Sequence, residues 1–310
     1  MPSSFPHRHL LDIERLSVND IETVIKLAER YAEQNRAGKR KTDKLSGKTV
    51  VNLFFEPSTR TRTSFEIAAR RLGADVVNVP VDQSSAKKGE TLLDTALTLD
   101  SMLIDALVVR HSEDGVPQFI APHMKASVIN AGDGKHEHPT QALIDALTIL
   151  RHKKTLKGLT VTYCGDYIRS RVANSLIQLM YKFGGKVRVA APPGFLSPKH
   201  TNLGVETFDD VTKALKDADV VVTQRIQLER MGEGDFNMSL KDYHQRYGLD
   251  HEKIKAAKPD VIILDPGPII RDMTISSALA DDPKFSVIRE QIEMGVAVRM
   301  AVLDLLLSQN

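Results

Sequence analysis

The chain has 310 residues, more than one hydrophobic core usually serves, so two domains are expected. An apolar fraction of 42% and a net charge of +2 describe an ordinary globular composition and give no general basic surface for nucleic acid. Cys164 is the single cysteine, which excludes a disulfide framework or a cysteine metal cluster and suits a reducing compartment.

The N-terminal Met1–Leu10 segment has prolines and histidines but no apolar signal region. No apolar run approaches the ~20 residues that span a bilayer, and a cytoplasmic location is expected. The first buried strand is expected over Thr49–Phe55. It runs through Glu56 and Pro57 into Ser58-Thr59-Arg60-Thr61-Arg62-Thr63-Ser64, where a helix begins. Phe65, Ala68, Ala69 and Leu72 repeat at helical spacing, and Gly73 stops the helix. With Ser58 at the N-cap, the first-turn N–H groups and the positive end of the helix dipole meet hydroxyl and guanidinium side chains. That combination suits a doubly charged anion such as phosphate. Arg62–Glu66 and Glu66–Arg70 fit ordinary pairs one turn apart. Arg60 has no such partner in nearby sequence beyond Glu56.

Strands are next expected over Asp75–Pro80, Ala106–Arg110 and Ser127–Asn130, with helices over Leu92–Leu103 and Thr140–Leu150. A basic connection, Arg151 to Gly158, follows, and the alternation restarts with strands over Leu159–Cys164, Lys186–Ala190, Asp219–Thr223 and Val261–Leu264. Ser286–Leu307 has the pattern of a long amphipathic helix crossing back to the first domain. The expected fold is therefore α/β: two doubly wound parallel-sheet domains with the active site in the cleft between them. The expected boundaries are residues 1–150, 151–285 and a returning helix, 286–310. Polar residues gather after strand after strand: Arg110-His111, Gly132-Asp133-Gly134, Gly165-Asp166, Arg225-Ile226-Gln227 and Asp265-Pro266-Gly267-Pro268.

Two nucleotide motifs fail. Gly47-Lys48-Thr49 resembles the end of a P-loop, but the earlier glycine would fall at Thr42 and the segment precedes its strand. Gly165-Asp166 lacks the glycine spacing of a dinucleotide site. His136 and His138 have no sustained metal-ligand spacing, and a surface role suits His136. No metal and no cofactor is expected.

The phosphate run, Lys87-Lys88-Gly89-Glu90, Val109-Arg110-His111, Asn130 to Gly134 and His138-Pro139-Thr140-Gln141 together resemble the carbamoyltransferases. Gly165-Asp166 with Ser170-Arg171, Arg225 to Arg230 and Pro266-Gly267-Pro268 extend the resemblance along nearly the whole chain, towards the aspartate branch. The His-Cys-Leu-Pro and Asp-x-x-x-Ser-Met-Gly segments typical of the ornithine branch do not occur. The resemblance implies carbamoyl transfer from carbamoyl phosphate to L-aspartate, in pyrimidine biosynthesis. It implies that Ser58, Thr59, Arg60 and Thr61 hold the phosphate, and that Thr61, Arg110 and His138 donate to the carbonyl oxygen. Gln141 meets the carbamoyl amide, Arg171 the α-carboxylate, and Arg225 with Gln227 the side-chain carboxylate. Ser84 and Lys88 would complete a neighbouring subunit's site, which makes a homotrimer the minimal active unit. Regulatory chains or a dihydroorotase are possible associates by the same resemblance; no nucleic acid or membrane partner is implied.

One departure stands out. Many relatives have His-Pro-x-Pro where this chain has Asp265-Pro266-Gly267-Pro268. An Asp265 carboxylate facing the bound diacid at about 4 Å would cost up to ~4 kcal/mol at an effective dielectric near 20. The resemblance implies that the main-chain carbonyls of Gly267 and Pro268 receive the substrate amine, with the Asp265 side chain turned away. A different amine acceptor, or a non-catalytic binding or regulatory homologue, are the alternative readings. The joint presence of Thr61, Arg110, His138, Arg171, Arg225 and Gln227 argues against the second.

Overall fold

The computed structural model describes residues 5–79, 89–227 and 238–308. The chain divides into two compact units, Met1–Leu147 with Glu293–Asn310, and Thr148–Ile292. The first contains α1 (Val18–Arg36), β1 (Thr49–Phe54), α2 (Thr59–Arg71), β2 (Asp75–Val79), α3 (Leu92–Asp100), β3 (Ala106–His111), α4 (Val116–Ile120) and β4 (Ser127–Asp133). Helix α5 (Pro139–Lys153) begins in it and ends in the second unit. There follow β5 (Thr160–Gly165), α6 (Arg171–Lys182), β6 (Lys186–Ala190), β7 (Glu206–Phe208), α7 (Val211–Leu215), β8 (Val220–Gln224), α8 (Leu240–Tyr247), β9 (Ile262–Leu264) and α9 (Ser277–Ala280). Helix α10 (Ile288–Leu307) leads from the second unit into the first. The unit boundaries thus fall inside α5 and α10, and Arg151–Lys153 of the expected connection are helical.

Both sheets are wholly parallel, in the orders β2-β1-β3-β4 and β7-β6-β5-β8-β9. In each, the first strand is flanked by a strand on either side, so the crossovers reverse direction between β1 and β3 and between β5 and β8. Such a reversal opens a crevice at the carboxyl ends of the strands. The inner strands are largely apolar and buried; all five residues of β8 are buried, its polar Thr223 and Gln224 included. In the first unit Val51, Leu53, Leu107, Val109 and Val128 pack with Ala96 and Ile120. In the second, Val221 and Ile263 pack with Leu215, Tyr243, Tyr247 and Ile254. Each fully buried side chain of this size contributes about 1.5–3 kcal/mol.

Two edge strands differ from the rest, whereas the edge strands β4 and β9 are buried throughout. β2 is largely exposed, and the three-residue β7 lacks the apolar alternation that marks a strand in sequence, so it was not expected. Helix α1 likewise was not expected, although Ser17 and Asp20 form a complete capping box at its start. Gly73 ends α2 as expected: its φ is +87°, and a Cβ there would lie 2.9 Å from the Thr42 carbonyl oxygen. Helix α10 is amphipathic only in its first turns; from Met294 to Leu307 nearly every residue is buried, including Arg299 and Asp304. The reason is that its polar residues find partners inside the first unit. Asp304 accepts from the Tyr31 hydroxyl at 2.7 Å and from Lys44 at 2.6 Å.

Candidate active site

In the first unit the candidate residues gather at the β1/β3 crevice. Ser58 is the N-cap of α2 in extended conformation, but its hydroxyl makes no capping bond. The first helical hydrogen bond runs from the Arg62 N–H to the Ser58 carbonyl at 3.2 Å, so the N–H groups of Thr59, Arg60 and Thr61 precede the helical ladder. Thr59 and Arg60 are exposed at the turn and Thr61 is buried. The expected Arg62–Glu66 pair does not form. Glu66 instead accepts from Arg70 at 3.1 Å and from Asn78 of β2 at 3.0 Å, which leaves Arg62 exposed without an ion pair among the described residues.

Arg110 lies opposite Phe54 across the β1–β3 ladder, and its carbonyl accepts from the Phe55 N–H at 2.9 Å. Its guanidinium donates to the Ala131 carbonyl at 3.1 Å and meets Glu56 at 3.2 Å. These two contacts fix the plane of the fork beside the start of α2 and give Glu56 an arginine of the next strand as partner. At the end of β4, Asp133 is fully buried. Burial works to raise its carboxyl, but His136, Asn130 and the Gly115 N–H outweigh it and hold the group below its ordinary range. Asp133 therefore shapes the turn that delivers His138. His138 is buried, and its carbonyl accepts from the Gln141 and Ala142 N–H groups at 2.9 and 3.4 Å; the residue caps α5 through its backbone. One turn along α5, the Gln141 Nε2 donates to the buried Asp145 at 2.8 Å. A carboxylate accepts only, so it fixes the amide with Oε1 directed away from Asp145.

In the second unit the candidate residues gather at the β5/β8 crevice. Gly165 has φ +132°, and a Cβ there would lie 2.0 Å from the Gln224 carbonyl oxygen, so only glycine lets these strand ends approach. Asp166, fully buried, accepts from the Gln227 N–H at 3.2 Å and meets Arg169 at 3.6 Å. Burial pushes its carboxyl up against both of those influences. The ion-pair partner of Asp166 is thus Arg169 rather than Arg171. Tyr163 ties the two arginine-bearing segments together. Its hydroxyl donates to Gln224 Oε1 at 3.0 Å and meets the Ser170 hydroxyl at 2.7 Å, while Ser170 caps α6 by accepting from the Ala173 N–H at 3.1 Å. Arg171 follows Ser170 and is buried; Arg225 follows Gln224 and is half-buried, donating to the Ile226 carbonyl at 3.2 Å. Gln227 is buried.

The Asp265 carboxylate is buried. It accepts from the Thr223 hydroxyl and from the Gly267 N–H, each at 2.6 Å, and the Gly267–Pro268 peptide is cis. Ser84, Lys88 and residues 228–230 of the motif after β8 lie outside the described residues. Asp145 and Tyr163 were missed in the sequence. Asp145 is one turn from Gln141 and could have been found by that spacing, whereas Tyr163 reads as an ordinary apolar strand position. Cys164 is buried beside it with its thiol pushed up to about 12, which makes it no nucleophile.

Residues 8–151 match the family described as aspartate/ornithine carbamoyltransferase, carbamoyl-P binding domain, and residues 157–306 match its Asp/Orn binding domain. The chain belongs to the aspartate/ornithine carbamoyltransferase family. It is 57% identical over 304 residues to the aspartate carbamoyltransferase catalytic subunit of Rhodospirillum centenum, covering 98% of this chain and 95% of that one. It resembles the aspartate transcarbamoylase of Trypanosoma cruzi solved with carbamoyl phosphate, with TM-score 0.87, 33% identity and 96% of each chain covered. The ornithine carbamoyltransferase of Pyrococcus furiosus has TM-score 0.85 at 29% identity over 98% of each chain. The aspartate and ornithine enzymes thus share this fold.

Proposed function

We infer that the chain transfers the carbamoyl group of carbamoyl phosphate to the amino group of L-aspartate, giving N-carbamoyl-L-aspartate and phosphate. The observation that carries this reading is the pair of arginines, Arg171 and Arg225, at the β5/β8 strand ends, with Gln227 beside Arg225. Planar guanidinium forks match the two carboxylates of aspartate and repel the side-chain ammonium of ornithine. The similarity to the aspartate carbamoyltransferase catalytic subunit of Rhodospirillum centenum agrees.

The donor is held in the first unit. Ser58, Thr59, Arg60 and Thr61 bind the phosphate at the start of α2, where the helix dipole favours an anion. Thr61, Arg110 and His138 donate to the carbonyl oxygen, and Gln141, with Oε1 turned from Asp145, accepts from the carbamoyl NH2. In the reaction the aspartate nitrogen uses its lone pair to bond the carbonyl carbon, which becomes tetrahedral as the π pair moves to the oxygen and makes it an oxyanion. Collapse of that intermediate breaks the carbon–oxygen bond to phosphorus, and phosphate leaves with the electron pair and takes the amine proton. Each preorganised donor to the oxyanion is worth about 3–4 kcal/mol, and most of the remaining acceleration comes from holding two reactants together. The carbonyls of Gly267 and Pro268 receive the substrate amine.

Ser84 and Lys88 act in a neighbouring subunit's site within a homotrimer. The exposure of the edge strand β2, with Val77 on its open face, supports an interface at that edge. No helix among the described residues is long and apolar enough to cross a membrane, which agrees with a cytoplasmic place for the enzyme. Kinetics of Arg225→Ala test the acceptor half. Its KM for aspartate should rise about 100-fold, the effect of leaving one carboxylate of a charged pair without its fork, with phosphate binding intact. An unchanged KM would remove Arg225 from the site.

A further inference from the structure

Helix α10 carries a lone arginine inside the apolar run Val296 to Leu303, and that arginine is buried under the donor site. Arg299 Nη1 donates to the Ser64 hydroxyl at 2.6 Å and approaches the Gly295 carbonyl at 3.5 Å; Nη2 approaches the Thr140 hydroxyl at 3.5 Å. The guanidinium lies 4.9 Å from the centre of the Phe65 ring. Among the described residues no carboxylate meets it. Gly295 makes the room, since a Cβ there would lie 3.2 Å from Nη1. Burial pushes the group down to about 9, and it keeps its charge at neutral pH. A buried charge without a counter-ion is costly, and removing such a group in favour of an apolar one is commonly neutral or stabilising.

The hydroxyls it touches lead to the reacting residues. Ser64 Oγ sits 2.8 Å from the Arg60 carbonyl oxygen and 3.0 Å from that of Thr61, within the first turn and a half of α2. Thr140 stands between His138 and Gln141, in the first turn of α5. One guanidinium therefore spans the helix start that holds the phosphate and the helix start that presents the oxyanion donor. We propose that Arg299 is a positioning residue for carbamoyl transfer: it locks the first turns of α2 and α5 in register and sets a permanent positive charge behind the site of the phosphate dianion. The proposal rests on the carbamoyl-phosphate reading of that site. It accounts for an otherwise unfavourable buried cation, as strain or charge kept at a functional site at the expense of stability.

The test uses the full chain with Arg299→Met, which keeps the packing on Phe65, and Arg299→Lys, which keeps the charge. Inorganic phosphate binding, urea unfolding, and kcat and KM for carbamoyl phosphate are measured on each. Arg299→Met should be at least as stable as the parent yet bind phosphate and turn over roughly tenfold or more less well, the usual scale for a supporting residue. Arg299→Lys should recover phosphate binding more than kcat. A less stable Arg299→Met chain with parental phosphate affinity and kcat would make Arg299 a structural residue and overturn the proposal. If Arg299→Met does not fold, Ser64→Ala reads the same relay from its other end. A lowered kcat with unchanged stability supports the proposal, and a parental kcat contradicts it. Should the parent chain fail to carbamoylate aspartate, the functional reading falls, while phosphate affinity still judges Arg299.

Discussion

The Asp265 carboxylate opens the Pro266–Pro268 loop, and its hydrogen bonds account for a buried charge there. Thr223 on β8 and the Gly267 N–H take both oxygens, turning the charge into the sheet and bracing the Pro266–Pro268 loop. Asp265→Ala leaves the half-buried Gly267 N–H without this acceptor and Thr223 with only a long 3.4 Å contact to the Leu264 carbonyl, and urea unfolding should show a loss of about 1–3 kcal/mol. An unchanged midpoint would mean the two bonds contribute nothing net. The resemblance implied that this side chain turns away but supplied no partner for it, because Thr223 is 42 residues away. By contrast, the strand end and helix start of the turn proposed to bind phosphate were legible, since a strand, a proline and the hydroxyl–guanidinium run are contiguous. Arg62 shows the limit of such local reading. Its helical spacing to Glu66 is correct, yet Asn78 from the neighbouring strand competes for the same carboxylate.

At the scale of elements, the Tyr163 hydroxyl joins the end of β8 to the start of α6 and so sets the spacing of Arg225 and Arg171. Tyr163→Phe should raise the KM for aspartate about tenfold, through misplacement of the two forks, with little change in phosphate affinity. A KM equal to the parent's would show that the arginines are held without this brace. Most strands and their order of appearance were readable because they are short runs rich in β-branched residues set between helical patterns. β7 was not, being short and exposed at an edge. Helix α10 had the spacing of an amphipathic helix, and its true burial depends on Tyr31, Lys44 and Ser64, which lie more than 200 residues away in sequence. Long-range partners of that kind are what a local pattern cannot supply.

For the whole molecule, two parallel sheets of like construction each present a crevice at the point where their strand order reverses. One carries a helix start suited to a phosphate, the other a pair of arginines suited to a diacid. With donor at one crevice and acceptor at the other, and a fold shared with the ornithine enzyme, side chains rather than architecture select the acceptor in this account. The deciding measurement is the rate of carbamoylation by the purified chain with L-aspartate, L-asparagine and L-ornithine, at one concentration of carbamoyl phosphate. Rapid formation of N-carbamoyl-L-aspartate is predicted, with L-asparagine about 100-fold slower for want of the second carboxylate and L-ornithine inert. Equal rates with asparagine, or turnover of ornithine, would contradict selection by the two arginines.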